Sequence, residues 1–285
     1  MAKLFDAHTH VQFAAFKEDY KEVMKRALAA DIGVINVGTQ KDTSRNAVGL
    51  AAQYKKDVYA IVGLHPIHTD KSFHDRQELG GDDNGFTSRG EEFDYDFYKK
   101  LALHEKVVAI GECGLDFFRL QNFEYRKTLE IKEKQIRAFQ QQIKLAEEIK
   151  KPLMIHCRPS QNTDDAYEQM LEIVENENPS VPLISHFYAG SPEMTKKLLA
   201  AGFYFTFGGV ITFTRAYDEV INLIPIKKIM LETDAPYVTP APYRGKRNEP
   251  LYVQEVAKKM AELKNISLEK IAERTTETVR KVFRV

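Results

Sequence analysis

Eight short β-rich runs separated by helical stretches constrain this chain more than any other feature. The runs are Lys3–His8, Gly33–Val37, Val58–Leu64, Val107–Glu112, Leu153–His156, Pro182–His186, Tyr204–Phe207 and Lys228–Thr233. Helical periodicity marks Phe16–Ala30, Thr43–Tyr54, Phe123–Lys150, Asp165–Val174, Pro192–Ala201, Tyr217–Leu223, Leu251–Leu263 and Leu268–Phe283. Eight strands alternating with helices over 285 residues predict an α/β fold, a (β/α)8 barrel. A doubly wound open sheet would carry a Gly-rich first turn, whereas the first run here ends in Asp6-Ala7-His8-Thr9-His10. No repeat, low-complexity segment or linker breaks the pattern, so one barrel domain over residues 1–285 is expected. A polar stretch, Thr69–Glu92, includes Gly80-Gly81-Asp82-Asp83-Asn84-Gly85. It follows the third run and is expected as an insertion on the catalytic face, either a lid or a loop without fixed structure.

Composition narrows the function classes. Forty-one basic and 41 acidic residues balance to zero, which excludes bulk cationic attraction to nucleic acid but not a local basic patch. Two cysteines cannot build a disulfide framework, and the N-terminus has no signal-peptide core, so a cytoplasmic location is expected. No apolar run is long enough for a membrane helix. Nothing in the sequence points to an obligate protein partner.

Placed on a barrel, the potential metal ligands converge. His8 and His10 close the first run, His65 the third, Glu112 the fourth, His156 the fifth, His186 the sixth and Asp234 the eighth. The C-terminal ends of barrel strands share one face, where active sites sit. Strand alternation turns His8 and His10 to the same side. Four histidines, a glutamate and an aspartate, with His65 as a further candidate, suit a first-row transition ion or Mg²⁺. Six ligands are too many for one four-coordinate ion that also holds a water, and they fit two ions sharing a carboxylate. Each residue alone has a plainer reading as a satisfied polar group or turn residue; five of eight histidines at strand ends outweigh it. Glu232 reads as a partner for a ligand histidine or as a buried carboxylate paired with a cation. Cys113 and Cys157 should turn away and pack. His68, His74 and His104 read as surface or loop histidines.

These motifs resemble the TatD family of metal-dependent deoxyribonucleases. The resemblance rests on Asp6-Ala7-His8-Thr9-His10, Gly63-Leu64-His65-Pro66, Ile110-Gly111-Glu112-Cys113-Gly114-Leu115-Asp116, Ile155-His156-Cys157-Arg158, Ser185-His186-Phe187 and Leu231-Glu232-Thr233-Asp234-Ala235-Pro236-Tyr237, in the family's order. Tyr243-Arg244-Gly245-Lys246-Arg247-Asn248-Glu249-Pro250 is also similar. It implies a metallo-dependent hydrolase barrel with two divalent ions, Mg²⁺, Mn²⁺ or Zn²⁺. His8, His10 and Asp234 would hold one ion, His156 and His186 the other, and Glu112 would bridge them. His65 and Arg158 would face the substrate phosphate, and Arg244 and Arg247 would line the nucleic-acid groove. The implied activity is hydrolysis of DNA phosphodiesters, including 3′-to-5′ exonuclease action on single strands or 3′ ends. Departures are Pro159-Ser160 after the His156 motif, His186-Phe187-Tyr188-Ala189-Gly190, and the long 69–92 stretch; none removes a ligand.

A water held between two cations would lose much of its pKa and attack the phosphorus in line, with Asp234 taking its proton and His65 assisting. Arg119, Arg126, Arg158, Arg244, Lys246 and Arg247 could ring the mouth, and Phe117, Phe118, Phe187, Tyr188 and Tyr237 could stack bases. The main rival is an amidohydrolase-type enzyme acting on a small amide, ester or phosphoester, or on an aminoacyl-nucleic acid ester. Many such barrels bridge their metals with a modified lysine on the fourth strand, where this chain has Glu112. A non-catalytic barrel is the other rival, and it would be expected to have lost a ligand.

Overall fold

A computed structural model describes residues 3–71, 73–74, 78, 86–87 and 89–285. The strands are β1 (Leu4–Thr9), β2 (Ile32–Val37), β3 (Val58–Val62), β4 (Phe73–His74), β5 (Phe86–Thr87), β6 (Val107–Asp116), β7 (Leu153–Arg158), β8 (Leu183–Ser185), β9 (Tyr204–Phe207) and β10 (Ile229–Leu231). Eight form one sheet in the order β1-β2-β3-β6-β7-β8-β9-β10, with every ladder between them parallel. These are the eight runs expected from the sequence. The fold is a (β/α)8 barrel, nearly closed. Every residue of β1, β2 and β6 is buried, as parallel strands covered on both faces require.

Closure between the last strand and the first falls to the residues just past β10. Asp6 is fully buried and accepts from the Thr233 N–H at 2.9 Å and the Thr233 hydroxyl at 2.5 Å. The Asp234 N–H donates to the His8 carbonyl, and the His10 N–H to that of Ala235, each at 2.9 Å.

The helices are α1 (Tyr20–Ala29), α2 (Lys41–Ala51), α3 (Tyr95–Ala102), α4 (Tyr125–Ile149), α5 (Asp165–Glu177), α6 (Pro192–Ala200), α7 (Asp218–Leu223), α8 (Val253–Lys264) and α9 (Leu268–Phe283). α3 is not among the sequence-derived helices. It is eight residues long and is started by Asp94, whose side chain accepts from the Phe97 N–H; its periodic signal is too short to stand out beside the polar stretch. α1 begins at Tyr20 rather than Phe16, because Ala14–Phe16 forms a separate 3₁₀ turn. In the 69–92 stretch β4 and β5 pair antiparallel. The Gly80–Gly85 run, Ser72, Asp75–Gln77, Leu79 and Ser88 lie outside the described residues.

Two apolar clusters organise the packing. The larger lies between strands and helices. The smaller fills the barrel: Phe5, Ala7, Val37, Ile61, Ala109, Met154, Ile184 and Met230, plugged from below by Val279, Val282 and Phe283 of α9. This dry layer is the floor on which the polar groups at the C-terminal strand ends stand. None of the helices among the described residues is long and apolar enough to cross a membrane.

Candidate metal centre

Two register irregularities aim the first ligands. In β1, Phe5 and Ala7 face the barrel interior, so strict alternation would point His8 outward. The pairing of β1 with β2 shifts between Asp6 and Thr9, and past that shift His8 and His10 both point inward, their Nε2 atoms 3.2 Å apart. β6 does the same: Ala109 faces inward, and the ladder to β7 shifts between Ile110 and Cys113, so Glu112, Gly114 and Asp116 follow on the inner side. Bulges of this kind re-aim side chains next to active sites. Cys113 is turned out into the strand–helix core, as expected, and Cys157 packs there too.

Close approach of β6 to β7 depends on glycine. At Gly114 φ is +130° and an added Cβ would lie 2.1 Å from the His156 carbonyl oxygen. At Gly111 φ is +155° and a Cβ would lie 2.5 Å from the Met154 carbonyl oxygen. Side chains are excluded at both places, and Glu112 between them is brought against His156.

Glu112 is the hub. Its Oε2 lies 3.3 Å from His8 Nε2 and 4.0 Å from His10 Nε2. Its Oε1 lies 2.8 Å from His186 Nε2, 2.9 Å from His156 Nδ1 and 3.2 Å from His65 Nε2. Asp234 joins the first group, its Oδ1 3.2 Å from His10 Nε2 and 3.7 Å from His8 Nε2. Asp234 has φ +55°, a left-handed conformation that aspartate tolerates better than most residues. All six expected ligands, and His65, therefore meet at one point, and sets of three among them offer donor atoms within 4.8 Å of one another.

Hydrogen bonds on the far side of each ring decide which nitrogen keeps a lone pair. His10 Nδ1 lies 2.7 Å from the Val37 carbonyl and must donate to it, leaving the Nε2 lone pair turned to the cluster. His186 Nδ1 lies 3.4 Å from Glu232, which also accepts from the Phe187 N–H at 2.8 Å; its Nε2 is again the ring atom turned to the cluster. His156 is reversed: Nε2 lies 3.1 Å from Asp116, so Nδ1 faces Glu112. His65 differs from these. Its Nδ1 accepts from the Ile67 N–H at 3.1 Å, so the neutral ring carries its proton on Nε2 and is a donor toward the centre. His8 Nδ1 is buried without a hydrogen-bond partner among the described residues.

The electrostatics follow from burial and crowding. Burial pushes the Glu112 carboxyl up, but the charges of His186, His65 and His8 outweigh it and hold the carboxyl well below its ordinary range. Burial likewise lowers His186, yet Glu112 and Glu232 hold it well above the ordinary histidine value. His65 is pushed down to about 4, first by burial and then by the charge of His156. A buried cluster of imidazole and carboxylate donors facing one point suits a divalent cation, and the residues present fit that group.

These groups stand in a cleft of about 480 Å³. Arg119 and Arg158 line it. Arg244 and Arg247 are not among its lining residues: Arg244 lies over the Phe213 ring and donates to the Thr239 carbonyl, while Arg247 is paired with Asp19 at 2.6 Å. Phe117 and Tyr188 are buried and cannot stack on a base; Phe118 is exposed, and Phe187 and Tyr237 are half-buried at the cleft wall. His104 is exposed, as expected, but His68 is not a surface residue. It is buried, lines the cleft and lies 2.9 Å from Glu78, which also accepts from Thr39 and Gln40. Its spacing three residues after His65, in one 3₁₀ turn, is the signal that could have placed it. Asp116 is the other residue missed as a site group, although its two-residue alternation with Glu112 and Gly114 puts it on the inner side.

A family model described as TatD related DNase matches residues 5–284. An uncharacterized metal-dependent hydrolase, YabD of Bacillus subtilis, is 37% identical over 99% of both chains. A protein of Erwinia billingiae named 3′-5′ ssDNA/RNA exonuclease TatD is 30% identical over 99% of both. Among solved structures, the TatD homolog YJJV of Escherichia coli superposes with a TM-score of 0.80 at 24% identity, over 100% of this chain and 99% of that one. On a barrel whose strand ends gather this donor set, the match over the whole chain places the protein in the TatD-related DNase family of metal-dependent hydrolases, enzymes that act on ester bonds.

Proposed function

We propose that this enzyme hydrolyses DNA phosphodiester bonds as a 3′-to-5′ exonuclease on single strands or 3′ ends, using two divalent cations drawn from Mg²⁺, Mn²⁺ and Zn²⁺. The observation that carries this reading is the division of labour at Glu112: one carboxylate oxygen faces His8 and His10, which Asp234 also approaches, and the other faces His65, His156 and His186. A carboxylate with ligands gathered on both oxygens suits a pair of ions. When bound, such a pair would activate water and neutralise charge on the phosphoryl oxygens.

The chain's own residues supply the rest. Asp234, ionised because the His10 contact outweighs its burial, accepts the proton of the attacking water. His65 keeps its proton on Nε2 and donates a hydrogen bond to a phosphate oxygen. Arg158 and Arg119, on the cleft wall, bind the flanking phosphates. The relative named as an exonuclease supports the direction and the single-strand preference.

The test is cleavage of an end-labelled single-stranded oligonucleotide by metal-stripped protein, with each cation restored in turn and Glu112→Gln as control. Stepwise shortening from the 3′ end that requires metal and is lost in the variant is the expected result. No cleavage of any oligonucleotide, with metal still bound, would move the enzyme to small esters, amides or phosphoesters.

A further inference from the structure

The apolar and basic surface around the cleft continues beyond it. Among the described residues, four of the nine exposed large apolar side chains fall within residues 118–129: Phe118, Phe123, Tyr125 and Leu129, at 40%, 46%, 77% and 43% exposure. Large apolar groups collected in one exposed strip mark a binding surface rather than chance.

The strip begins at the cleft. Arg158 and Arg119 line the cleft wall, and the Arg158 guanidinium stacks 3.9 Å from the centre of the Phe118 ring. The chain then turns back on itself: the Phe123 N–H and the Thr128 hydroxyl both donate to the Leu120 carbonyl, at 3.1 and 3.3 Å. That turn sets Phe123 beside the first turn of α4. Tyr125 and Leu129, four residues apart, share one helical face. Lys127 is paired with Asp70 and Glu130, while Arg119, Arg126 and the adjacent Arg158 outnumber Glu124, the one acidic residue between 117 and 129.

Resting on the nuclease reading above, we propose that this strip is the path of a single strand leaving the cleft, with bases stacked on Phe118, Phe123 and Tyr125 and phosphates beside Arg119, Arg126 and Arg158. Two features select this occupant. Exposed rings can stack only on unpaired bases, and stacking tolerates any sequence. The charge is cationic and continuous with the cleft, which suits a polyanion whose end is being hydrolysed there. A second copy of the chain would bring like charges face to face across a two-fold contact.

The test compares the metal-loaded wild type with Phe123→Ala/Tyr125→Ala, two exposed positions whose truncation leaves no cavity. KM is measured for a tetranucleotide and for a strand of about fifteen nucleotides, and the ratio reports affinity gained with length. Loss of two stacking contacts should shrink that gain by about tenfold or more. Thermal melting of the double variant guards against misfolding. A length-dependent gain that is the same in both proteins overturns the strip while leaving the nuclease reading intact. A wild-type dimer that becomes monomeric in the variant, by light scattering, also overturns it and assigns the strip to self-association. Wild type that cleaves no oligonucleotide fails the nuclease reading, and the strip falls with it.

Discussion

Asp116 holds His156 in place: its Oδ2 lies 3.1 Å from His156 Nε2, and the opposite ring nitrogen, Nδ1, then faces Glu112 Oε1 at 2.9 Å. Asp116 is itself fixed, accepting from the Phe118 N–H, while its own backbone N–H and carbonyl are both bonded to the Gln135 side chain. An imidazole has one lone pair when neutral, so the carboxylate chooses which atom offers it. Asp116→Ala should weaken metal binding by about 10- to 100-fold, read by competition with a coloured chelator. Asp116→Asn keeps an acceptor and should restore most of the affinity. Equal affinity in wild type and Asp116→Ala would mean that His156 is not a ligand.

The pH dependence of metal capture has a definite sign. Without metal, His186 is held well above its ordinary 6.5 by Glu112 and Glu232, against burial. Glu112 is held well below its ordinary 4.5 by His186, His65 and His8, again against burial. The Glu112 contribution to stability is present above 4.5 and is lost as pH falls through the depressed value; that of His186 is present below 6.5 and is lost as pH rises through the raised one. A cation can bind His186 only by expelling its proton. Affinity of the stripped protein should therefore keep rising as pH climbs above the ordinary histidine value of 6.5 toward the raised His186 value, with heats of binding that depend on the ionisation enthalpy of the buffer. Flat affinity and buffer-independent heats would show that no proton is released.

Closure of the barrel rests on Thr233 and Asp6. Thr233→Val keeps the shape of the side chain but leaves Asp6 Oδ2, fully buried, without its hydroxyl donor. An unsatisfied buried acceptor costs about 1–3 kcal/mol. Urea denaturation of metal-free protein should show that loss. Because Asp234 follows directly, metal affinity should fall as well, whereas unchanged stability would mean that β1 and the segment after β10 are held by their backbone bonds alone.

Most of this architecture can be read from the sequence because the barrel repeats one short-range signal eight times. The donor cluster can be read because its members end strands, and strand ends share a face. What the sequence hides is phase. Alternation from Phe5 and Ala7 points His8 the wrong way, and only the shift in pairing between Asp6 and Thr9 reverses it. Asp116 is hidden for a different reason: it keeps phase with Glu112 and Gly114, but the sequence run ends at Glu112 whereas β6 continues to Asp116. His68 escapes the pattern because a histidine in a polar loop carries no mark of burial; its partner Glu78 is ten residues on, in the stretch whose pattern is least regular. The positions of Arg244 and Arg247 depend on partners, Phe213 and Asp19, that no local pattern connects to them.

Gly114 ties the backbone to the chemistry. Its φ of +130° and the 2.1 Å approach of a Cβ to the His156 carbonyl leave no room for alanine. Gly114→Ala must either move β6 away from β7 or change the backbone at Gly114, and both displace Glu112 and Asp116 from His156. Strain of this kind costs at least about 2 kcal/mol, so the melting temperature should fall. The more specific outcome concerns metal: the variant should lose affinity at the His156 side of Glu112 while His8, His10 and Asp234 still gather at the other. Titration with a single cation should then saturate at a lower stoichiometry than in wild type. A variant that melts lower but binds as many ions would confine Gly114 to the fold.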